Sequence, residues 1–61
     1  MKVKQIRKLI QADGWVYSYS KGSHHHYVHA KKPGKVTIPG SDSDELHPKT
    51  LKTILIQAGL K

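Results

Sequence analysis

A chain of 61 residues that contains no cysteine can hold its fold only through one small apolar core. So short a chain buries about 60% of the surface that its unfolded form exposes, which allows one layer of helices on one sheet. The composition excludes disulfide bonds and cysteine-ligated zinc or iron. We therefore predict a single domain over residues 1–61, with any functional site on the surface or in a shallow groove.

Two segments have the apolar spacing of amphipathic helices. The first covers residues 3–12 and is followed by Gly14, a residue type that commonly ends helices. The second begins at Pro48, which suits a first helical turn, and is followed by Gly59. Spacings of three and four define the two apolar stripes: Val3, Ile6, Leu9 and Ile10, then Leu51, Ile54, Leu55 and Ala58. We expect both stripes to be buried.

The segment between the helices has the composition of strands joined by turns. Strands are predicted at residues 15–20, 24–29 and 35–39. The Lys-Gly-Ser turn between the first two is short, which favours an antiparallel hairpin. Alternation along the first strand predicts that Trp15, Tyr17 and Tyr19 share one face, with Trp15 and Tyr17 in the core.

These elements predict an α+β fold with the order α-β-β-β-α. A three-stranded antiparallel sheet offers one face for burial, so both helices are expected to pack on that face. The opposite face of the sheet would then remain open to solvent or to a ligand.

The balance of charge points to a polyanionic partner. Eleven Lys and Arg face four Asp and Glu, which gives a net charge of +7 with neutral histidines. Such a density is typical of nucleic-acid-binding domains, although an acidic protein partner would also fit. No apolar run approaches the roughly 20 residues of a membrane span, and the N-terminus resembles no signal peptide. We expect a cytoplasmic protein.

Residues 21–30, KGSHHHYVHA, contain four of the five histidines. Strand alternation separates His24, His26 and Val28 from His25, Tyr27 and His29. The bulky Tyr27 is expected to pack toward the helices, which would place His24 and His26 on the open face. Val28 argues for the opposite assignment, and a bulge after the Gly-Ser turn could redirect His24.

Metal binding, proton transfer and phosphate contact are the functions that such histidines commonly serve. A zinc site needs at least three protein ligands, and His24 and His26 would have to recruit His47, Asp42 or Asp44 from distant positions. We therefore predict no metal and no cofactor.

Proton transfer fits better, because RNA can be cleaved without metal by activating its own 2′-hydroxyl against the adjacent phosphorus. Histidine suits the acid or the base role, and Lys21 and Lys35 could stabilise the charge that develops on the phosphate. The residues alone favour plain binding by the histidines over catalysis, and proton transfer ranks above metal binding.

Four stretches of the chain resemble the HicA-type toxins, the small ribonucleases of toxin–antitoxin pairs. The stretches are KQIRKLIQADGW, KGSHHHYVH, KVTIPG and LHPKTLKTILIQAGL, which together cover nearly the whole chain. The Gly-Ser-His triplet before an aromatic strand is the most specific of these features.

The resemblance implies a double-stranded-RNA-binding-domain-like fold and metal-independent cleavage of mRNA by one essential histidine. That histidine follows the Gly-Ser pair and therefore corresponds to His24, whereas His25 and His26 fall at positions where the family varies. The identity of a second acid or base group stays open. The resemblance also implies neutralisation by a HicB-type antitoxin.

RNA contacts are predicted at the residues around the two turns: Lys21, Ser23, Lys31, Lys32 and Lys35. The alternative function is a non-catalytic RNA-binding module of the same fold. A DNA-binding accessory protein fits less well, because neither helix is basic enough to be a convincing recognition helix.

Overall fold

A computed structural model describes all residues, 1–61. Its elements are α1 (Val3–Ala12), β1 (Trp15–Lys21), β2 (His24–His29), β3 (Val36–Pro39) and α2 (Pro48–Gln57). The strands form an antiparallel sheet in the order β1-β2-β3, so β2 is central. The predicted order and the double-stranded-RNA-binding-domain-like architecture are confirmed. Neither helix has the length and apolar character needed to cross a membrane.

Both helices pack on one face of the sheet. The buried residues of the helices are Val3, Ile6 and Ile10 in α1 and Ile54 in α2. Ala58, the residue directly after α2, is also buried. They meet Trp15, Tyr27, Val36 and Ile38 of the sheet, with Leu46 of the connecting loop. Leu51 and Leu55 are partly buried against this core. The sheet therefore has one covered face and one open face.

The prediction that Leu9 is buried was wrong, because its side chain is 44% exposed. Successive helical residues are about 100° apart, so Leu9 lies well around the helix from Ile10. A helix of ten residues on a narrow sheet buries only the strip that faces the strands directly.

Tyr27 determines the orientation of β2. Its side chain is only 3% exposed, and it lies opposite Tyr17 on one side and Val36 on the other. Because directly opposed residues share a face and successive residues alternate, His25 points toward the helices with Tyr27. His24 and His26 consequently point to the open face, as the sequence predicted.

A β-bulge in β1 changes the face on which Tyr19 lies. Tyr17 pairs with Tyr27 but Tyr19 pairs with His26, so Ser18 is an extra residue in β1. The prediction that Trp15, Tyr17 and Tyr19 share one face was therefore wrong for Tyr19. The bulge moves this ring to the open face, beside His26. The prediction that Tyr17 lies in the core was also wrong, because its side chain is 50% exposed on this edge strand, although it shares the face of the buried Trp15.

His29 fastens the end of β2 to the end of α1. Its Nε2 lies 2.7 Å from the carbonyl oxygen of Asp13, and its Nδ1 accepts from the backbone N–H groups of Lys31 (2.9 Å) and Lys32 (3.2 Å). Since those N–H groups can only donate, the ring carries its proton on Nε2 and donates to Asp13. A side chain at Gly14 would place its Cβ 2.7 Å from His29 Nε2, so only glycine leaves room for this ring.

Lys32 joins the same region to the second helix. Its ammonium group pairs with the Asp13 carboxylate and donates to the Ala58 carbonyl oxygen at 3.0 Å. Trp15 donates from Nε1 to the same oxygen at 3.3 Å. The ends of both helices are thus held to the β2–β3 connection, and we call this set of contacts the Asp13–Lys32 clasp.

The clasp predicts a specific acid sensitivity. The hydrogen bond from Lys32 holds the pKa of Asp13 below its ordinary value of 3.8. A carboxylate with a depressed pKa stabilises the fold above its unfolded pKa, and this contribution is lost as pH falls through the folded value. In urea unfolding at a series of pH values below neutral, Asp13→Asn should show a weaker loss of stability on acidification than the parent.

Lys32→Met provides the matched variant, because it removes the same pair from the other side. It should weaken the acid dependence as Asp13→Asn does, and the double variant should add little further, since the two residues act as a pair. If Asp13→Asn lost stability with acid as steeply as the parent chain, the clasp would not be the pH-sensitive contact.

Candidate functional site

The Lys-Gly-Ser turn delivers His24 to the start of the central strand. Gly22 has a φ of +60°, a conformation that glycine adopts without strain, and this lets β1 reverse directly into β2. The Ser23 carbonyl then accepts from the Gly40 N–H at 2.9 Å, which ties the turn to the end of β3. The backbone at His24 is therefore fixed from both neighbouring strands.

The ring of His24 is exposed and unengaged. Among the five histidines, ring hydrogen bonds within the chain are made by His26, His29 and His47. Both nitrogens of His24 are thus free to meet a ligand.

Strand register gathers a set of polar side chains around His24 on the open face. Lys21 lies opposite His24, while Tyr19 and Thr37 lie opposite His26 on its two sides. Lys35, just before β3, reaches the same place with its ammonium group. We name this group the open-face cluster: Tyr19, Lys21, His24, His26, Lys35 and Thr37.

His26 is the most constrained member of the cluster. Its ring stacks on Tyr19, with centroids 4.5 Å apart and planes inclined by 27°. Its Nδ1 lies 3.0 Å from the Thr37 hydroxyl oxygen. Partial burial lowers the pKa of His26, and the nearby charges of Lys35, His24 and His25 lower it further. The ring is therefore held neutral over more of the physiological pH range than an ordinary histidine.

Lys35 provides the fixed positive charge of the cluster. Its Nζ lies 3.3 Å from the Tyr19 hydroxyl and 5.8 Å from the centroid of the Tyr19 ring. Neither contact neutralises the ammonium group, so its charge is available to an anion on the open face.

The four carboxylates of the chain are used elsewhere. They contact groups on the helices and connecting loops: Asp13 with Lys32, Asp42 with Arg7, Glu45 with the N-terminal amine, and Asp44 with the Ser41 N–H. The strands themselves contain no acidic residue. The open-face cluster is consequently cationic and has no carboxylate beside it, which favours binding of phosphate.

The remaining histidines have other positions. His25 lines a groove of roughly 240 Å³ between α1 and the sheet, together with the Arg7–Asp42 ion pair. His47 precedes α2 and accepts from the Lys49 N–H at 3.1 Å, which caps the helix. No three His, Cys, Asp or Glu side chains are grouped so that they could hold a metal ion.

The predicted RNA contacts are only partly brought together. Lys21, Ser23 and Lys35 lie around His24 and His26. Lys31 lies beyond the far end of β2, and that end is about 17 Å along the strand from His24. The ammonium group of Lys32 is occupied by the clasp, so its placement does not support a role in RNA contact.

Two members of the cluster were missed at the sequence level. Thr37 could have been found from the alternation of β3, since it lies between the buried Val36 and Ile38. Tyr19 could not, because nothing in the sequence around Ser18 marks the bulge.

The comparison with known families agrees with this architecture. A search of curated proteins gave no match. A family model described as the HicA toxin of bacterial toxin–antitoxin systems matches residues 3–60. The match includes all five elements and the turn that precedes His24. The resemblance seen in the sequence is thus confirmed, and the chain belongs to the HicA toxin family.

Proposed function

We propose that this toxin is a metal-independent endoribonuclease that cleaves mRNA through His24 and is neutralised by a HicB-type antitoxin. The observation that carries the proposal is the unengaged His24 ring, which lies among unopposed cations on the open face of a HicA-family fold. The second candidate is a non-catalytic RNA-binding module, which the same cationic face would also favour.

The chemistry uses a nucleophile that RNA itself supplies. Removal of the 2′ proton lets the 2′-oxygen attack the adjacent phosphorus, while the 5′-oxygen leaves and takes up a proton. His24 serves one of these two proton transfers. Lys21 and Lys35 stabilise the negative charge that develops on the phosphate oxygens, and they do so without a metal ion.

RNA lies along the open face in this proposal. Lys21, Ser23 and Lys35 contact the phosphates next to the cleaved bond, and Lys31 contacts the strand further along. Tyr19 offers a ring on which a base can stack, since its side chain is 48% exposed.

The antitoxin is proposed to cover the same face. Val16 (62% exposed) and Val28 (44%) form a cross-strand apolar pair there, next to the cations. A partner with acidic groups around an apolar patch would match this surface and would exclude the phosphate from His24.

His24→Ala should retain the fold and lose RNA cleavage by about 10²–10⁴-fold, the usual contribution of a general acid or base. Circular dichroism and a cleavage assay on the same preparation measure both properties. His25→Ala is the matched control, because it changes the neighbouring residue on the opposite face of the sheet. It should cleave at the parent rate.

His24→Lys distinguishes the two candidate functions. A binding module needs only a positive charge at this position, so it would keep its RNA affinity and its activity in cells. The enzyme would bind RNA and fail to cleave it. All reactions contain EDTA, and loss of the parent activity in chelator, restored by one particular metal ion, would contradict the metal-independent mechanism.

The lysines predict a salt dependence of single-strand RNA binding. Each phosphate contact contributes a log–log slope of roughly −0.7, so Lys21→Ala and Lys35→Ala should each flatten the slope by about that amount. Lys52→Ala, on the exposed side of α2, is the control and should leave the slope unchanged. Equal effects at all three positions would mean that the open face is not the binding surface.

The internal nucleophile and the antitoxin can be tested together on matched strands of RNA, DNA and 2′-O-methyl RNA. Only the RNA has a free 2′-hydroxyl, so only the RNA should be cleaved. Addition of the HicB-type antitoxin should abolish that cleavage. Cleavage of the methylated strand would exclude the 2′-oxygen mechanism, and a complex that cleaved RNA at the rate of the free toxin would exclude inhibition by masking.

A further inference from the structure

We propose that His26 is the second proton-transfer group of this site, acting as general base on the 2′-hydroxyl while His24 acts as general acid on the leaving 5′-oxygen. The inference rests on the proposed ribonuclease function and adds a second catalytic residue to it. Its starting point is that transesterification needs a base and an acid on opposite sides of one phosphorus. Of the five histidines, His24 and His26 alone share the open face.

The spacing of the two rings suits this division of labour. Residues two apart in a strand point the same way, with Cα atoms about 6.6 Å apart. A phosphodiester placed between the two side chains has one imidazole on each side. The attacking and leaving oxygens of phosphoryl transfer lie roughly in line on opposite sides of phosphorus, so each ring faces one of them.

The contacts of His26 leave one nitrogen for the substrate. Nδ1 is engaged by the Thr37 hydroxyl at 3.0 Å, and the ring face is covered by Tyr19. When Nδ1–H donates to Thr37 Oγ1, Nε2 carries its lone pair and has no partner within the chain. Thr37 is then a positioning residue that fixes the tautomer and the ring orientation, as second groups commonly do for catalytic histidines.

The charges around His26 keep it in the form that a base requires. The groups that face it are Tyr19 and Lys21 on β1, His24 on β2 and Lys35 before β3, with His25 adjacent on the other face. None is a carboxylate, so no negative charge near the ring favours the imidazolium before substrate arrives. The negative charge that develops on the phosphate offsets the cost of forming the imidazolium during the reaction.

The 2′-hydroxyl proton moves to His26 Nε2, the bond between the 2′-oxygen and phosphorus forms, and the bond between phosphorus and the 5′-oxygen breaks. The 5′-oxygen takes its proton from His24. The products are a 2′,3′-cyclic phosphate and a 5′-hydroxyl, and both rings exchange protons with solvent before the next cycle.

The test uses two substrates that differ at the leaving atom. One is a short RNA with a single cleavable bond, and the other carries sulfur in place of that 5′-oxygen. A thiolate leaves without being protonated, so the sulfur substrate needs the base but not the acid. Rates are measured in a single turnover with EDTA present, for the parent, His24→Gln, His26→Gln and His25→Gln.

His26→Gln should lose about 10²-fold or more on both substrates, the range of one general base. His24→Gln should lose activity on the oxygen substrate and recover most of it on the sulfur substrate. His25→Gln, on the opposite face, should match the parent on both. Cleavage by His26→Gln at the parent rate would overturn the inference. Recovery of the His26→Gln rate on the sulfur substrate would also overturn it, because it would make His26 the acid. Either result would leave the proposed function standing.

The pH dependence of the cleavage rate provides a second test, which begins with the parent chain. Its rate should follow a bell-shaped pH profile on the oxygen substrate, and the sulfur substrate should abolish the alkaline limb and keep the acidic limb. Thr37→Val should lower the rate and displace the acidic limb, which a merely structural role would not do. A sulfur profile with no acidic limb would overturn the assignment of His26, whereas failure of the parent chain to cleave RNA at all would overturn the proposed function itself.

Discussion

Burial of Tyr27 at the middle of the central strand is the constraint on which the rest of the site depends. A strand has a side-chain period of two, so a slip of one residue would exchange its two faces. With Tyr27 packed between Tyr17 and Val36 against the helices, the residues on either side of it point outward. The core of this small fold thus determines which histidines lie on the open face of the sheet.

The four acidic residues of the chain all lie outside the strands. Each of the four carboxylates is engaged by a group on a helix or a loop, and the clasp at Asp13 and Lys32 also secures the ends of both helices. The strands are left without acidic side chains. Stability and a cationic surface are therefore obtained together, because the same placement of carboxylates that holds the helices leaves Lys21 and Lys35 unopposed.

The three consecutive histidines do not act as one unit. His24 is free at the start of β2, His25 lines the groove beside α1, and His26 is stacked and hydrogen-bonded on the open face. The alternation of the strand separates them, and their neighbours then give each a different environment. This separation gives the two histidines of the open face different environments although they are only two residues apart.

The order of the elements, the basic character of the surface and the assignment to the HicA family could be determined from the sequence, because they depend on local spacing, composition and motifs. The outward orientation of His24 was also predicted, since one bulky tyrosine decided the face. The exposure of Leu9, the clasp that occupies Lys32 and the bulge that brings Tyr19 to His26 were decided by the tertiary structure. The physical reason is that a helix buries only the strip facing its partner, ion pairs join residues far apart in sequence, and an extra residue in a strand is defined only by the register of its neighbour.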